Sequence, residues 1–201
     1  MIKKLCLLLL LPAALVLCLS LTGCISAKYV EQKQYMLAVE TPISGHKINK
    51  KSSLCIGHIT TQAPFDQLNF LYKINKYQYL TDYYNGFLMP PAEQLEKILA
   101  NYIKNSSKFA IQDNVLSAPN ILSVQLNEFY ADYLDNKHPK AIINMHFVLT
   151  RANDNKVILD KIFTQKILLQ AKNTESLLSA WNIGLQNALT NATRTLNQCI
   201  K

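Results

Sequence analysis

The sequence predicts an α+β fold, a two-layer domain with a mainly antiparallel sheet and two helices packed on one face. Three observations carry that reading. Three long segments, Ile121 to Tyr133, Ala141 to Arg151 and Val157 to Leu169, read as strands, the first two alternating apolar and polar residues with the period of two that a half-buried strand requires. Two others, one opening at Pro90-Pro91 and one at Asn173-Thr174, repeat apolar residues at three- and four-residue spacing. Strands come first, then a helix, more strands and a closing helix, an order that suits helices gathered on one face of a sheet.

The elements follow in order. Tyr35 to Val39 and Leu54 to Ile59 are short, apolar and bounded by turn residues, as strands are. Phe70 to Lys73 and Tyr77 to Tyr83 read as two strands around Asn75-Lys76. Tyr77, Tyr79 and Tyr83 then share one face at period two, either half-buried or open to stack on a ligand. Proline is preset for a helix's first turn, so Pro90-Pro91 starts a helix whose stripe is Leu95, Ile98, Leu99, Tyr102 and Ile103. Glu93 and Glu96 sit near its positive end and Lys104 near its negative end. In the meander, Leu122, Val124 and Leu126 share one face, as do Ile143, Met145, Phe147 and Leu149, and Asn153-Asp154-Asn155 makes a tight turn. The last helix, capped near Asn173-Thr174, carries Leu178, Trp181, Leu185, Ala188, Ala192, Leu196 and Cys199 as its core stripe.

The N-terminus has a different grammar. Lys3 and Lys4 precede an apolar run from Leu5 to Leu21, the layout of a secretion signal. The run is at the short limit for crossing hydrocarbon and no basic stop-transfer cluster follows it. Leu21-Thr22-Gly23-Cys24 resembles a bacterial lipobox, which implies cleavage between Gly23 and Cys24, a diacylglycerol on the Cys24 sulfur and an acyl chain, such as palmitate, on its new amine. Several acyl chains, each buried methylene adding about 0.8 kcal/mol, hold a protein stably on a bilayer. Ile25 stands where an aspartate would signal retention at the inner membrane, so the expected location is the periplasmic face of the outer membrane. The organisation expected is a signal peptide over 1–23, a lipidated polar tether over 24–34 and one domain over 35–201.

Loss of Lys3 and Lys4 lowers the formal charge from +8 to +6. Export argues against nucleic acid as the partner, and the one basic cluster, Lys47 to Lys51, reads as a solvated loop or a contact for anionic headgroups. Of the five cysteines, Cys6 and Cys18 leave with the signal and Cys24 is acylated. Cys55 and Cys199 remain, either as a disulfide in an oxidising compartment or as two buried thiols. His46, His58, His138 and His146 lack metal-ligand spacing, and no phosphate loop, nucleophile elbow or HExxH is present. Glu128, Asp132 and Asp135 could form a carboxylate site, but two of them flank a turn, where acids are usually solvated. The expectation is a protein that is not an enzyme, with no metal and no cofactor beyond its lipid.

The centre of the chain adds a resemblance. Phe70-Leu71-Tyr72-Lys73, then Tyr83 to Leu95 with its Phe87-Leu88-Met89-Pro90-Pro91-Ala92-Glu93-Gln94-Leu95, the strand Ile121 to Phe129 and the Trp181 helix are similar to the ABC-type transport auxiliary lipoprotein family. That family accompanies Mce-domain lipid transport systems, including the paraquat-inducible type. Lys73 stands where arginine is usual and Phe87 where tryptophan is common; lysine keeps the charge without the planar fork. The resemblance implies a non-catalytic component at the outer-membrane end of a system moving phospholipid or another hydrophobic molecule between the two membranes. Its partners would be an Mce-domain protein and the membrane, with homo-oligomerisation left open. The surface expected to meet a partner is Tyr77, Tyr79, Tyr83, Phe87 and Met89, with packing under the helix as the other role for Phe87. A structural or assembly lipoprotein of another envelope or secretion complex would share the anchor and the domain.

Replacing the acylated sulfur tests the anchor directly. Cys24→Ser should move the protein from the membrane fraction to the soluble one and abolish its complementation of an outer-membrane permeability defect. Unchanged fractionation would remove the anchor.

Overall fold

The computed structural model describes residues 31–42 and 48–200, and a compact unit begins at Gln32. Its sheet has eight strands: β1 (Lys33–Tyr35), β2 (Ser52–Thr61), β3 (Asn69–Lys73), β4 (Tyr79–Phe87), β5 (Phe109–Ile111), β6 (Asn120–Asp132), β7 (Lys140–Arg151) and β8 (Val157–Leu168). Two helices, α1 (Pro91–Ser106) and α2 (Thr174–Gln198), lie on one face, so the class is the α+β arrangement expected.

The long strand β6 organises the sheet. One edge pairs antiparallel with β7, which pairs antiparallel with β8. The other edge is shared: β2 runs parallel to its first half, from Cys55↔Ile121 to Thr61↔Leu126, and β3 runs parallel to its end at Tyr72↔Ala131 and Lys73↔Asp132. Outside β2 lies β5, in parallel; outside β3 lies β4, antiparallel, and then β1, parallel to β4. The sheet is therefore mixed, with the longest registers antiparallel.

Side-chain alternation explains the layering. Leu122, Val124 and Leu126 of β6 point into the core, and a bulge between Leu126 and Glu128 resets the phase so that Phe129 and Ala131 point inward too. The facing residues of β7, Ile143, Met145, Phe147 and Leu149, are fully or almost fully buried. On the uncovered face, polar side chains bond across strands: Asn127 Nδ2 donates to Asn144 Oδ1 at 3.0 Å, Asn144 Nδ2 to Thr164 Oγ1 at 2.8 Å, and His146 Nε2 meets Asp160 Oδ1 at 2.7 Å.

Helix α1 starts with Pro91 in its first turn, as its sequence predicts, and buries Leu95, Leu99, Tyr102 and Ile103. Its buried Gln94 is satisfied on both sides, Oε1 accepting from Leu37 N and Nε2 donating to Met89 O, each at 2.7 Å. Helix α2 is capped by Asn173, whose Oδ1 accepts from Ser176 N at 2.8 Å. At Gly184 it approaches the sheet so closely that a Cβ would lie 2.7 Å from Ile143 Cδ1. The helices join through Tyr102 and Thr190 hydroxyls at 2.7 Å and through Asn197, whose Nδ2 donates to Ser106 O at 3.2 Å while its Oδ1 accepts from Lys108 N, just past α1, at 2.7 Å.

Three boundaries differ from the sequence reading. Lys33 and Gln34 belong to β1, so the tether does not extend to residue 34; Met36 to Val39 instead runs as irregular chain, with Ala38 N bonded to Asn182 Oδ1 at 2.9 Å. Strand β5 was not expected. The tyrosine strand begins at Tyr79, leaving Tyr77 in the preceding turn.

Trp181 is the largest fully buried side chain, packed on Phe129 at 4.7 Å, Phe70 at 5.0 Å and Phe87 at 5.5 Å between ring centroids. Its Nε1 has no hydrogen-bond partner. Trp181→Ala should cost about 3–5 kcal/mol in urea unfolding. Trp181→Phe should cost far less, because deleting the unpaired N–H recovers about 1–3 kcal/mol of desolvation. Equal losses would mean that the indole N–H is satisfied.

Candidate interaction surface

The tyrosine-rich segment does not form a regular ladder. Between Asn69↔Gly86 and Leu71↔Thr81 the β3–β4 register jumps, two steps on β3 answering five on β4. The surplus residues are gathered by Asp82. Its Oδ1 accepts from Tyr84 N at 2.8 Å and Asn85 N at 3.1 Å, and its Oδ2 accepts from Asn85 Nδ2 at 2.8 Å and from the Tyr72 hydroxyl. Asn69 Nδ2 donates to the Asp82 carbonyl at 2.7 Å, and Tyr35 OH donates to Asn85 Oδ1 at 3.2 Å. The bulge is thus tied to β1 and β3 by side chains where ladder bonds are missing.

The electrostatics follow from this cage. Burial alone would raise the Asp82 carboxyl, but the bonds from Tyr72, Asn85 and the two amides outweigh it and hold the group below its ordinary range. Burial, reinforced by the Asp82 charge, pushes the Tyr72 hydroxyl far up, so it stays a donor.

The bulge projects two rings. Tyr83 and Tyr84 meet edge to face at 5.4 Å and are 74% and 52% exposed. Gly86 follows where a Cβ would stand 2.9 Å from Leu68 O, and Phe87 then turns inward. Leu88 N bonds Tyr35 O at 2.9 Å, and Leu88 and Met36 are both about half exposed. Tyr83, Tyr84, Leu88 and Met36 thus line the β1–β4 margin.

The residues expected to meet a partner are therefore dispersed. Tyr83 is in this surface and Met89 is half-buried beside it. Tyr77 lies in the β3–β4 turn, 84% exposed. Tyr79 packs on the uncovered face against Tyr130 at 5.5 Å and Phe65 at 6.3 Å. Phe87 is only 3% exposed and belongs to the core, which corrects its placement at the surface. Tyr84, Leu88 and Met36 were missed; Asn85-Gly86, a turn dipeptide inside an aromatic run, was the available signal that the alternation breaks. Lys73 has its Nζ 5.5 Å and 5.7 Å from the Tyr79 and Tyr130 ring centroids, a cation–π contact that needs no planar fork.

Cys24 and Gly23 lie outside the described residues. Cys55 and Cys199 are free thiols, so the alternative of a disulfide between them is not realised; burial raises both above the ordinary thiol range. Cys55 is inside β2, and Cys199 closes α2 with its Sγ 3.4 Å from Thr195 O. The acids near the β6–β7 turn serve that turn: Asp132 Oδ1 accepts from Leu134 N at 2.9 Å, and Asp135 accepts from Lys137 N at 3.0 Å and meets His138 at 2.8 Å. Among the described residues no group of three His, Cys, Asp or Glu is arranged to hold a metal ion.

Fold and surface together define a two-layer α+β domain with an aromatic margin on a mixed sheet. No family model matches the sequence, and no curated protein is similar to it in sequence. The fold is similar to the crystal structure of protein XCC0632 from Xanthomonas campestris, described under the family model DUF330, with a TM-score of 0.71, 17% identity, and 82% of this chain and 95% of that one covered. It is also similar to the crystal structure of an uncharacterized protein, with a TM-score of 0.66, 14% identity, and 83% and 99% covered. At these identities the likeness establishes the fold.

The Asp82 cage has a signed pH dependence. Its folded pKa lies below the unfolded value of about 3.9, so its stabilisation is complete above that value and lost as pH falls through the folded one. Asp82→Asn should therefore lower stability by about 1–2 kcal/mol at neutral pH, and the difference from wild type should vanish in acid. Urea titrations across pH would show it; a difference independent of pH would rule out the carboxylate as its source.

Proposed function

We propose that this chain is a lipid-anchored periplasmic protein of the outer membrane that serves as a non-catalytic component of an Mce-type ABC system moving phospholipid or another hydrophobic molecule between membranes. The observation that carries the reading is the coherence of residues 83–95. The segment on which the family resemblance rests forms one unit, in which Tyr83 and Tyr84 project outward, Phe87 locks into the Trp181 cluster and Pro91 opens α1. Sequence supplies the anchor, because the Gly23-Cys24 site ends a signal-like apolar run. The exposed rings suit a protein partner: tyrosine brings a large apolar area at low rotamer cost, and aromatic residues are enriched in interface centres. An anchored docking domain needs no reacting group of its own; confinement to the membrane raises its effective concentration near a partner that spans the periplasm.

In-cell photocrosslinking from positions 83 and 84 should trap an Mce-domain protein, while a probe at Thr164 on the uncovered face should not. Tyr83→Ala combined with Tyr84→Ala should weaken that capture by at least about tenfold, with folding stability changed by no more than about 0.5 kcal/mol. Adducts with another envelope or secretion component, and none with an Mce-domain protein, would replace this reading with that of an assembly lipoprotein.

A further inference from the structure

We infer that one end of the domain seats on a phospholipid bilayer carrying anionic headgroups, a proposal that rests on the lipid-anchored reading above. Three connections build that end: the turn 74–78, the turn 133–139, and residues 169–173 before α2. Tyr133 N bonds Lys73 O at 2.8 Å, Leu169 N bonds Pro139 O at 2.9 Å, and Lys172 Nζ bonds Asn136 Oδ1 at 2.9 Å, which holds the three together. Exposed apolar side chains crowd there: Tyr77 at 84%, Leu168 at 57%, Leu134 at 51% and Leu80 at 46%. A groove of about 330 Å³, lined by Ile74, Leu80, Tyr133 and Lys172, opens among them. Lys76, Lys137, Lys140 and Lys172 surround these residues. The acids at or near this end are Asp132, Asp135, Glu175 and Asp82, which bonds Tyr72 beside the groove; the first two are engaged in turn bonds and Asp82 in its cage. Apolar tips among lysines are the composition of a surface that dips into the headgroup layer, each lysine adding attraction to anionic lipid.

Chain direction and reach select this end. Strand β4 leaves the 74–78 turn and β1 runs parallel to it, so the chain enters β1 from the side of that end. Lys33 pairs with Asn85, which the pairings Asn69↔Gly86 and Tyr72↔Ala131 place near the level of Phe129. From that level the near end of β6, at Asp132, is about 10 Å away and its far end, at Asn120, about 30 Å away before the 112–119 loop is added. From Cys24 to Gln32 the chain spans at most about 28 Å when fully extended. That reach covers the near end and falls short of the far one, although the far end also carries an apolar tip in Leu116, 96% exposed.

The test uses the full acylated chain reconstituted in phosphatidylethanolamine–phosphatidylglycerol vesicles, with Cys55→Ala and Cys199→Ser as background. Fluorophores are placed through Tyr77→Cys or Leu134→Cys at the near end and Leu116→Cys at the far end, with quenchers on the lipid headgroups. Strong quenching at 77 and 134 with little at 116 is expected, and Lys76→Glu combined with Lys137→Glu should lower it several-fold at low salt. Equal quenching at both ends, or stronger quenching at 116, overturns the orientation while leaving the anchor standing. Mass spectrometry of the N-terminal peptide separates the two ideas: an unacylated Cys24 overturns the anchor and the seating together.

Discussion

The packing of Trp181 beneath β6 is the contact on which the rest of the architecture depends. One edge of β6 changes partner midway, from β2, whose pairing ends at Leu126, to β3, whose pairing begins at Ala131. Such a branch leaves a widening gap beneath the sheet, and interiors tolerate few voids. Phe129, just past the β6 bulge, stacks on Trp181 at 4.7 Å, while Phe70 of β3 and Phe87 of β4 close the sides. An aliphatic side chain at 181 would not reach all three rings. Phe129 of β6 with Phe70 and Phe87 from the β3–β4 side thereby fixes Trp181 and α2 to the point where two strand systems diverge.

That core sets the surface as well. Phe87 is the inward anchor of β4, and the Asp82 bulge lies only a few residues before it on the same strand. With Phe87 held and Gly86 pressed against Leu68 O, the surplus residues can go only outward, which directs Tyr83 and Tyr84 away from the sheet. The Asp82 carboxylate, engaged by four donors, keeps them ordered, which would lower the entropy cost of the proposed docking.

Sequence periodicity made the regular parts legible. The three meander strands and both helices fall within one residue or so of their expected bounds because each repeats its apolar residues over many positions, and the Pro91 and Asn173 signals are local. Three features were not legible, each for a physical reason. Strand β5 has only three residues, too few for a period. The parallel pairing of β2 and β3 with one edge of β6 is a tertiary choice that strand order does not encode. The tyrosine ladder failed because a period-two argument assumes an unbroken strand, and Asp82, a poor strand residue that bonds backbone amides two and three positions on, breaks it. The surface expectation inherited that error, so Tyr84 went unnoticed, while of the two roles open to Phe87 the buried one is realised.

The sheet margins bear on the proposed docking. Strand β8 offers a long unpaired edge, but Asp160, Lys161 and Lys166 place charge along it, the usual guard against strand addition. On the β4 side, β1 covers only Asn85 to Phe87, and the exposed stretch beyond it contains the bulge, whose amides are already bonded to Asp82. A partner strand would find no continuous ladder there, because the bulge takes the Tyr84 and Asn85 amides out of it. If the proposed partner docks at this margin, side chains rather than backbone would carry the contact, and the side chains presented are the paired rings of Tyr83 and Tyr84 with Met36 and Leu88 beside them. Contact through rigid rings rather than backbone pairing favours a partner with a preformed apolar depression over one that lends an extended segment.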